Sequence, residues 1–144
     1  MMFRRIRAAA GLVAILTLVA CMAVFKDRSL YQRLGGKGAI VAMADDFAGN
    51  VAADPRINPQ FATANMDRLK KMLADQICQM TGGPCVYRGL DMKTAHLGRD
   101  IGEADFNAFV DDLVKTLDKF KVPMKEKNEL LSILAALKKD IVTK

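Results

Sequence analysis

The chain has 144 residues, 51% of them hydrophobic and 26% charged, with a formal net charge of +6. That length allows one domain of ordinary size, and ten glycines and four prolines exclude collagen-like and proline-rich disordered classes. One histidine, His96, and three cysteines, Cys21, Cys78 and Cys85, leave too few ligands for a zinc site built from several His and Cys, and a Ser-His-Asp triad has a single candidate base.

The N-terminus reads as an export segment. Arg4, Arg5 and Arg7 precede Ala8–Ala20, which carries no charge. This is the positive and then apolar pattern of a secretory signal. Leu18-Val19-Ala20-Cys21 resembles the lipobox of bacterial lipoproteins, which implies cleavage before Cys21 and lipidation of its sulfur. The alternative is an uncleaved anchor, because Ala8–Phe25 is uncharged throughout and reaches the lower limit for spanning a bilayer. Both readings place the domain outside the cytoplasm, tethered to a membrane, on the periplasmic side in a Gram-negative cell. The expected organisation is residues 1–20 signal peptide, 21–28 tether and 29–144 domain. Without residues 1–20 the chain keeps 19 basic and 16 acidic residues, a net +3. Half of the basic excess is therefore export signal. No basic stripe interleaved with aromatics argues for nucleic acid.

The rest reads as all-α. Ser29 is placed to cap a short helix over Leu30–Leu34, and Gly35-Gly36 breaks it. Ile40, Met43, Phe47 and Val51 recur at spacings of three and four, one face of a second helix. Pro55 and Pro59 end it. Met66, Leu69, Leu73, Ile77 and Met80 predict a third, stopped by Thr81-Gly82-Gly83-Pro84. Phe106, Phe109, Val110, Leu113, Leu117 and Phe120 form the strongest stripe. Val122-Pro123 interrupts, and Leu130, Leu131, Leu134, Leu137 and Ile141 form the last. No β-branched run alternates with polar residues, so no strand is predicted. Residues 81–95 read as a long loop leading to His96. On position alone, a packing or capping role for that histidine stands beside a ligand role.

From Leu30 to Val142 the chain resembles the group I truncated haemoglobins, globins with a two-over-two helical sandwich. The resemblance is carried by Leu30-Tyr31-Gln32-Arg33-Leu34-Gly35-Gly36, Asp46-Phe47, Phe61, Asn65-Met66, Arg68-Leu69-Lys70 and the run from Thr81-Gly82-Gly83-Pro84 through Tyr87, Gly89, Met92-Lys93 and His96 to Gly98-Arg99-Asp100-Ile101. It implies haem b as cofactor and His96 as the proximal iron ligand on a very short helix. One imidazole is all that haem iron requires from that side. It further implies Phe61 wedged against the haem and pocket walls drawn from Leu69, Leu73, Ile77, Ile101, Phe106, Val110 and Leu134. Tyr87 and Met92 belong to the loop and helix beside the cofactor, and Lys70, Lys71, Arg88 and Arg99 are candidates for the propionates.

The distal side departs from the family pattern. A tyrosine usually follows the Asp-Phe pair; here Phe47 is followed by Ala48. The family's glutamine falls at Leu73, and the gate position is Leu69. None of the three donates a hydrogen bond. Such a bond to charged dioxygen contributes on the order of 1.5–3 kcal/mol, so its loss predicts faster oxygen release and faster autoxidation. Met72 is placed to act as a second, distal iron ligand, since a thioether is a competent axial donor, or to fill space on the helix edge. Gln76 is a second candidate donor. Cys78 and Cys85 lie in no CxxCH motif, so c-type attachment is not indicated. Outside the cytoplasm they are free to pair as a disulfide.

The leading expectation is a membrane-anchored haem protein that reversibly binds a diatomic gas (O2, NO or CO). No distal general acid is visible, so nitric oxide dioxygenase or peroxidase chemistry enters only as side activity. The competing expectations are a six-coordinate electron-transfer or redox-sensing protein served by a redox partner, and a haem-free helical lipoprotein that binds a partner.

Overall fold

The computed structural model describes residues 28–144, all helical and irregular. The expected signal peptide, tether and lipidation site at Cys21 lie outside the described residues, save Arg28 at the tether's end. The helices are α1 (Leu30–Arg33), α2 (Gly36–Ala53), α3 (Met66–Met80), α4 (Met92–His96), α5 (Glu103–Lys119), α6 (Met124–Ala135) and α7 (Lys138–Ile141), with a 3-10 turn at Asn58–Phe61. Among the described residues no helix is long and apolar enough to cross a membrane.

Each boundary has a local cause. Ser29 accepts the Gln32 N–H while the Gln32 side chain accepts the Ser29 N–H, a reciprocal capping box. Asn65 caps α3 by accepting the Arg68 N–H at 2.9 Å. Proline opens the 3-10 turn, where its missing N–H costs nothing.

The architecture is two helical layers, α2 with α3 and α5 with α6, joined through α2, which packs on both α3 and α5. Ile40, Met43, Phe47 and Val51, the predicted face of α2, are all buried. They meet Ile77, Leu113, Leu117 and Leu130 in one core. A polar clasp adds to the α2–α5 contact. Thr116 donates to Asp46 at 3.0 Å and accepts from Asn50 at 2.9 Å, and Lys119 pairs with the same carboxylate. The Lys119 bond holds the Asp46 carboxyl below its ordinary range against the opposing effect of burial.

Two expectations need correction. The final apolar stripe is not one helix: Ala136 and Leu137 interrupt it, with Leu137 N–H bonded to the Leu134 carbonyl in a tighter turn. Residues 81–95 are not loop throughout, because α4 starts at Met92. Asp91 caps it, accepting from the Thr94 N–H at 2.9 Å and the Thr94 hydroxyl at 2.7 Å.

Candidate functional site

His96 ends α4, half-buried. Its Nδ1 lies 2.8 Å from the Met92 carbonyl oxygen. A carbonyl only accepts, so Nδ1 carries the proton and Nε2 keeps its lone pair. The ring is fixed in orientation with one nitrogen left as a donor to a metal, the arrangement typical of ligating histidines.

Several bonds hold the loop that leads into α4 against the end of α3. Cys78 of α3 and Cys85 are joined as a disulfide, Cα to Cα 5.7 Å. Gln79 accepts the Tyr87 N–H at 2.7 Å, and the Tyr87 hydroxyl donates to the Leu90 carbonyl at 2.8 Å. Burial, with Asp91 nearby, pushes the Tyr87 phenol above its usual range, so it stays protonated and able to donate. The glycines of this segment are needed for two different reasons. Gly82 turns the chain at φ +83°. Gly83 provides room: a Cβ there would lie 2.5 Å from the Tyr31 ring and 2.6 Å from the Cys78 sulfur.

Across from α4 stands the polar-edged face of α3. Gln76 donates to the Met92 sulfur at 3.4 Å, so the candidate distal donor is engaged with the residue whose carbonyl orients His96. Met72, Gln76 and Gln79 follow at spacings of four and three and therefore share one face. Two of them contact the segment 87–92, which places Met72, half-buried, on the same side. Leu69, Leu73 and Phe61 are also half-buried, with Leu73 and Phe61 at the rim of the core.

The remaining predicted residues separate by depth. Phe47 and Ala48 are buried at 2% and 1% exposure, so they back the site from within the core. Phe47 meets the edge of Phe109 at 4.7 Å, and Phe109 stacks on Phe61 at 6.4 Å. That aromatic chain connects core to rim, and Phe109 was not singled out as a site residue because its spacing is simply that of the α5 stripe. Ile77 is buried among Phe47, Leu113 and Leu117. Ile101 and Phe106 are buried toward α7: Thr143 N–H bonds the Ile101 carbonyl, and the Lys138 ammonium sits 5.5 Å from the Phe106 ring centre. Val110 and Leu134 are half-buried. Of the four candidate cations, Lys70 pairs with Asp45 at 2.7 Å and Lys71 with Asp75 at 2.6 Å. Arg99 donates to the Ala95 carbonyl, and Arg88 is exposed. The two glutamines that face α4 carried a readable signal, a polar stripe beside the apolar one on α3. Gln79 was missed because a solvent-facing glutamine has the same spacing.

Known proteins share this arrangement. The sequence profile described as bacterial-like globin matches residues 29–143. A group 1 truncated haemoglobin of Mycolicibacterium paratuberculosis is 33% identical over 115 residues, 80% of this chain and 85% of that protein. The crystal structure of truncated haemoglobin from Tetrahymena pyriformis in the Fe(III) form superposes with a TM-score of 0.78 at 31% identity, covering 81% of this chain and all of that one. The 2/2 haemoglobin of Synechococcus, in the cyanomet state with covalently attached haem, gives a TM-score of 0.75 at 28% identity over 81% of this chain and all of that one.

Proposed function

The chain belongs to the bacterial-like globins and, within them, to the group 1 truncated haemoglobins, a haem-binding family, and from that premise we propose that it binds a diatomic gas reversibly at a haem held by His96. The observation that carries this reading is the His96 ring, with Nδ1 committed to the Met92 carbonyl at 2.8 Å and Nε2 left as a donor.

The residues present fit the group. The α3 face that meets Met92 of α4 carries Leu69 and Leu73, half-covered although their helical spacing would put them in a core, and Phe61 of the 3-10 turn is half-covered as well. A flat apolar macrocycle is the kind of surface that completes such a wall. A bound haem supplies an iron that coordinates small gases. His96 would hold that iron through Nε2, and Leu69 and Leu73 would exclude water from the pocket. Neither leucine offers a hydrogen bond, and neither does Ala48. The pocket therefore suits neutral, weakly polar ligands such as CO and NO better than charged dioxygen. Haem b, held without a covalent bond, suits a chain whose only histidine is already used and whose two described cysteines are paired.

We further propose that Cys21 is lipidated after cleavage of residues 1–20 and that the domain works outside the cytoplasm, on the grounds of the lipobox-like Leu18-Val19-Ala20-Cys21 and of the disulfide, a bond that persists in oxidising compartments.

The test is an absorption spectrum in ferric, ferrous and CO-bound states. A Soret band that shifts on CO addition is expected. No Soret band after haem is offered overturns the reading and favours a haem-free interaction module. A second reading has support from the side of α3 on which Met72 lies. With Met72 as axial ligand the iron becomes six-coordinate and the protein suits electron transfer. A six-coordinate spectrum that survives Met72→Ala excludes it.

A further inference from the structure

We infer that the face surrounding the chain's exit toward its anchor, formed by the 86–90 loop and the α5–α6 corner, lies on the surface of an anionic bilayer. This rests on the lipid-anchor reading of Cys21 above.

Two sets of contacts fix the exit. Arg33 donates to the Arg28 carbonyl at 2.7 Å and to Glu126 at 3.0 Å, and also pairs with Glu129. Residue 28 is therefore held beside the start of α6. On its other flank, Tyr31 N–H bonds the Thr81 carbonyl at 2.8 Å, and a Cβ on Gly82 would come within 3.2 Å of Ser29. The segments leading from these two contacts carry exposed apolar side chains. Val86 is 60% and Leu90 59% exposed on one; Met124 is 66% exposed on the other. Isolated exposed apolar residues need no explanation, but these flank one point, the point from which the chain runs back to Cys21.

Charge agrees. Arg88, Lys121 and Lys125 are exposed on the same two segments. None of the three forms an ion pair among the described residues. Of the acids nearby, Glu126 and Glu129 are occupied by Arg33 and Asp118 by Lys127, and Asp91 caps α4. An apolar surface rimmed by unpaired cations is the pattern of a protein face that settles on anionic lipid. The tether makes a weak surface sufficient. Six residues lie between Cys21 and Arg28, and the seven steps from one to the other span at most about 25 Å when extended. The lipid surface is then present at a high effective concentration, and docking becomes an intramolecular event. The consequence for the site is positional: α4 and His96 follow directly on the docked loop, so the His96 side of the site lies nearest the membrane.

The experiment uses the full chain, expressed with its anchor and inserted in lipid nanodiscs of phosphatidylglycerol or of phosphatidylcholine. Amide hydrogen exchange over residues 84–90 and 119–125 is expected to be about threefold or more slower in the anionic discs. Lys121→Glu with Lys125→Glu removes the difference, and Val86→Ser with Met124→Ser reduces it in both discs. Equal exchange in the two lipids, with the protein still eluting with the discs, overturns the docking and leaves the anchor standing. Failure to elute with either disc overturns both. Protection that persists in detergent and rises with protein concentration identifies a second copy as the occupant and also overturns the proposal.

Discussion

The two sides of the candidate pocket are built on opposite plans. The His96 side is fixed several times over, by a disulfide, by the Gln79–Tyr87 and Tyr87–Leu90 bonds, by the Asp91 cap and by the Met92 carbonyl on the imidazole. The facing wall of Ala48, Leu69 and Leu73 offers shape and no directed bond. The difference teaches where specificity is set. Under the proposed function, the first side would determine whether and how iron is held, and the second would leave ligand choice to size and polarity, because it carries no donor to discriminate among gases.

The largest expected effect removes the first side's one metal donor. His96→Ala should lower haem affinity about a hundredfold or more, with the helical circular dichroism unchanged, since the ring is only half-buried. Added imidazole should restore part of the Soret band. Full haem retention without imidazole would break the comparison, because the bonds that orient His96 would then serve no ligand.

Next in size is the brace itself. The eight-residue loop from Cys78 to Cys85 contributes about 2.5 kcal/mol in the chain-entropy account. Cys78→Ser with Cys85→Ser should lower the thermal midpoint by about 10 °C or more. The haem spectrum should persist, because Gln79 and Tyr87 still hold the loop. Mass spectrometry of unreduced wild type showing two free thiols, or an unchanged midpoint, would remove the disulfide from the brace.

Leu73→Gln probes the other side. A donor placed there should slow dioxygen release about tenfold, the weak end of a bond to a charged acceptor. CO release should change little, since CO carries little charge. Equal effects on both gases, measured by stopped flow, would mean that the wall acts by packing alone.

How much of this was legible in sequence follows the same division. The core behind the wall was readable because helical spacing marks apolar faces: Ile40, Met43, Phe47 and Val51 are all buried. The brace was readable only in part. Cys78, Cys85 and Tyr87 stood out by residue type and Gln76 as a candidate donor, but Gln79 did not, and the partner of neither glutamine was legible, since it is set by tertiary approach rather than by spacing. The break at Ala136–Leu137 had no sequence signal either, as neither residue is a helix breaker. Gly83 reads in sequence only as part of a helix stop, whereas the structure requires it for the space beside Tyr31 and Cys78.

The smallest expected effect lies away from both sides and separates stability from function. Asp112 of α5 is 5% exposed, and its Oδ2 has no hydrogen-bond partner. Burial raises its carboxyl above the ordinary value of 3.8, and the neighbouring Asp54 adds to the shift. A raised folded-state pKa means that the fold binds this proton more tightly than the unfolded chain does. The ionised carboxylate therefore costs stability at neutral pH, and that cost disappears as pH falls through the raised pKa. Asp112→Asn removes the charge and turns a donor toward Asp54. It should stabilise by on the order of 1 kcal/mol at pH 7. The gain should shrink as pH is lowered toward the acidic range, while Asp46, held below its usual range by Lys119, titrates alike in both proteins and cancels from the difference. Denaturant unfolding of the two proteins at several pH values measures this directly, with the absorption spectrum as the reference that should not move. A gap independent of pH would mean that Asp112 keeps its ordinary pKa and that its buried oxygen finds a partner in water.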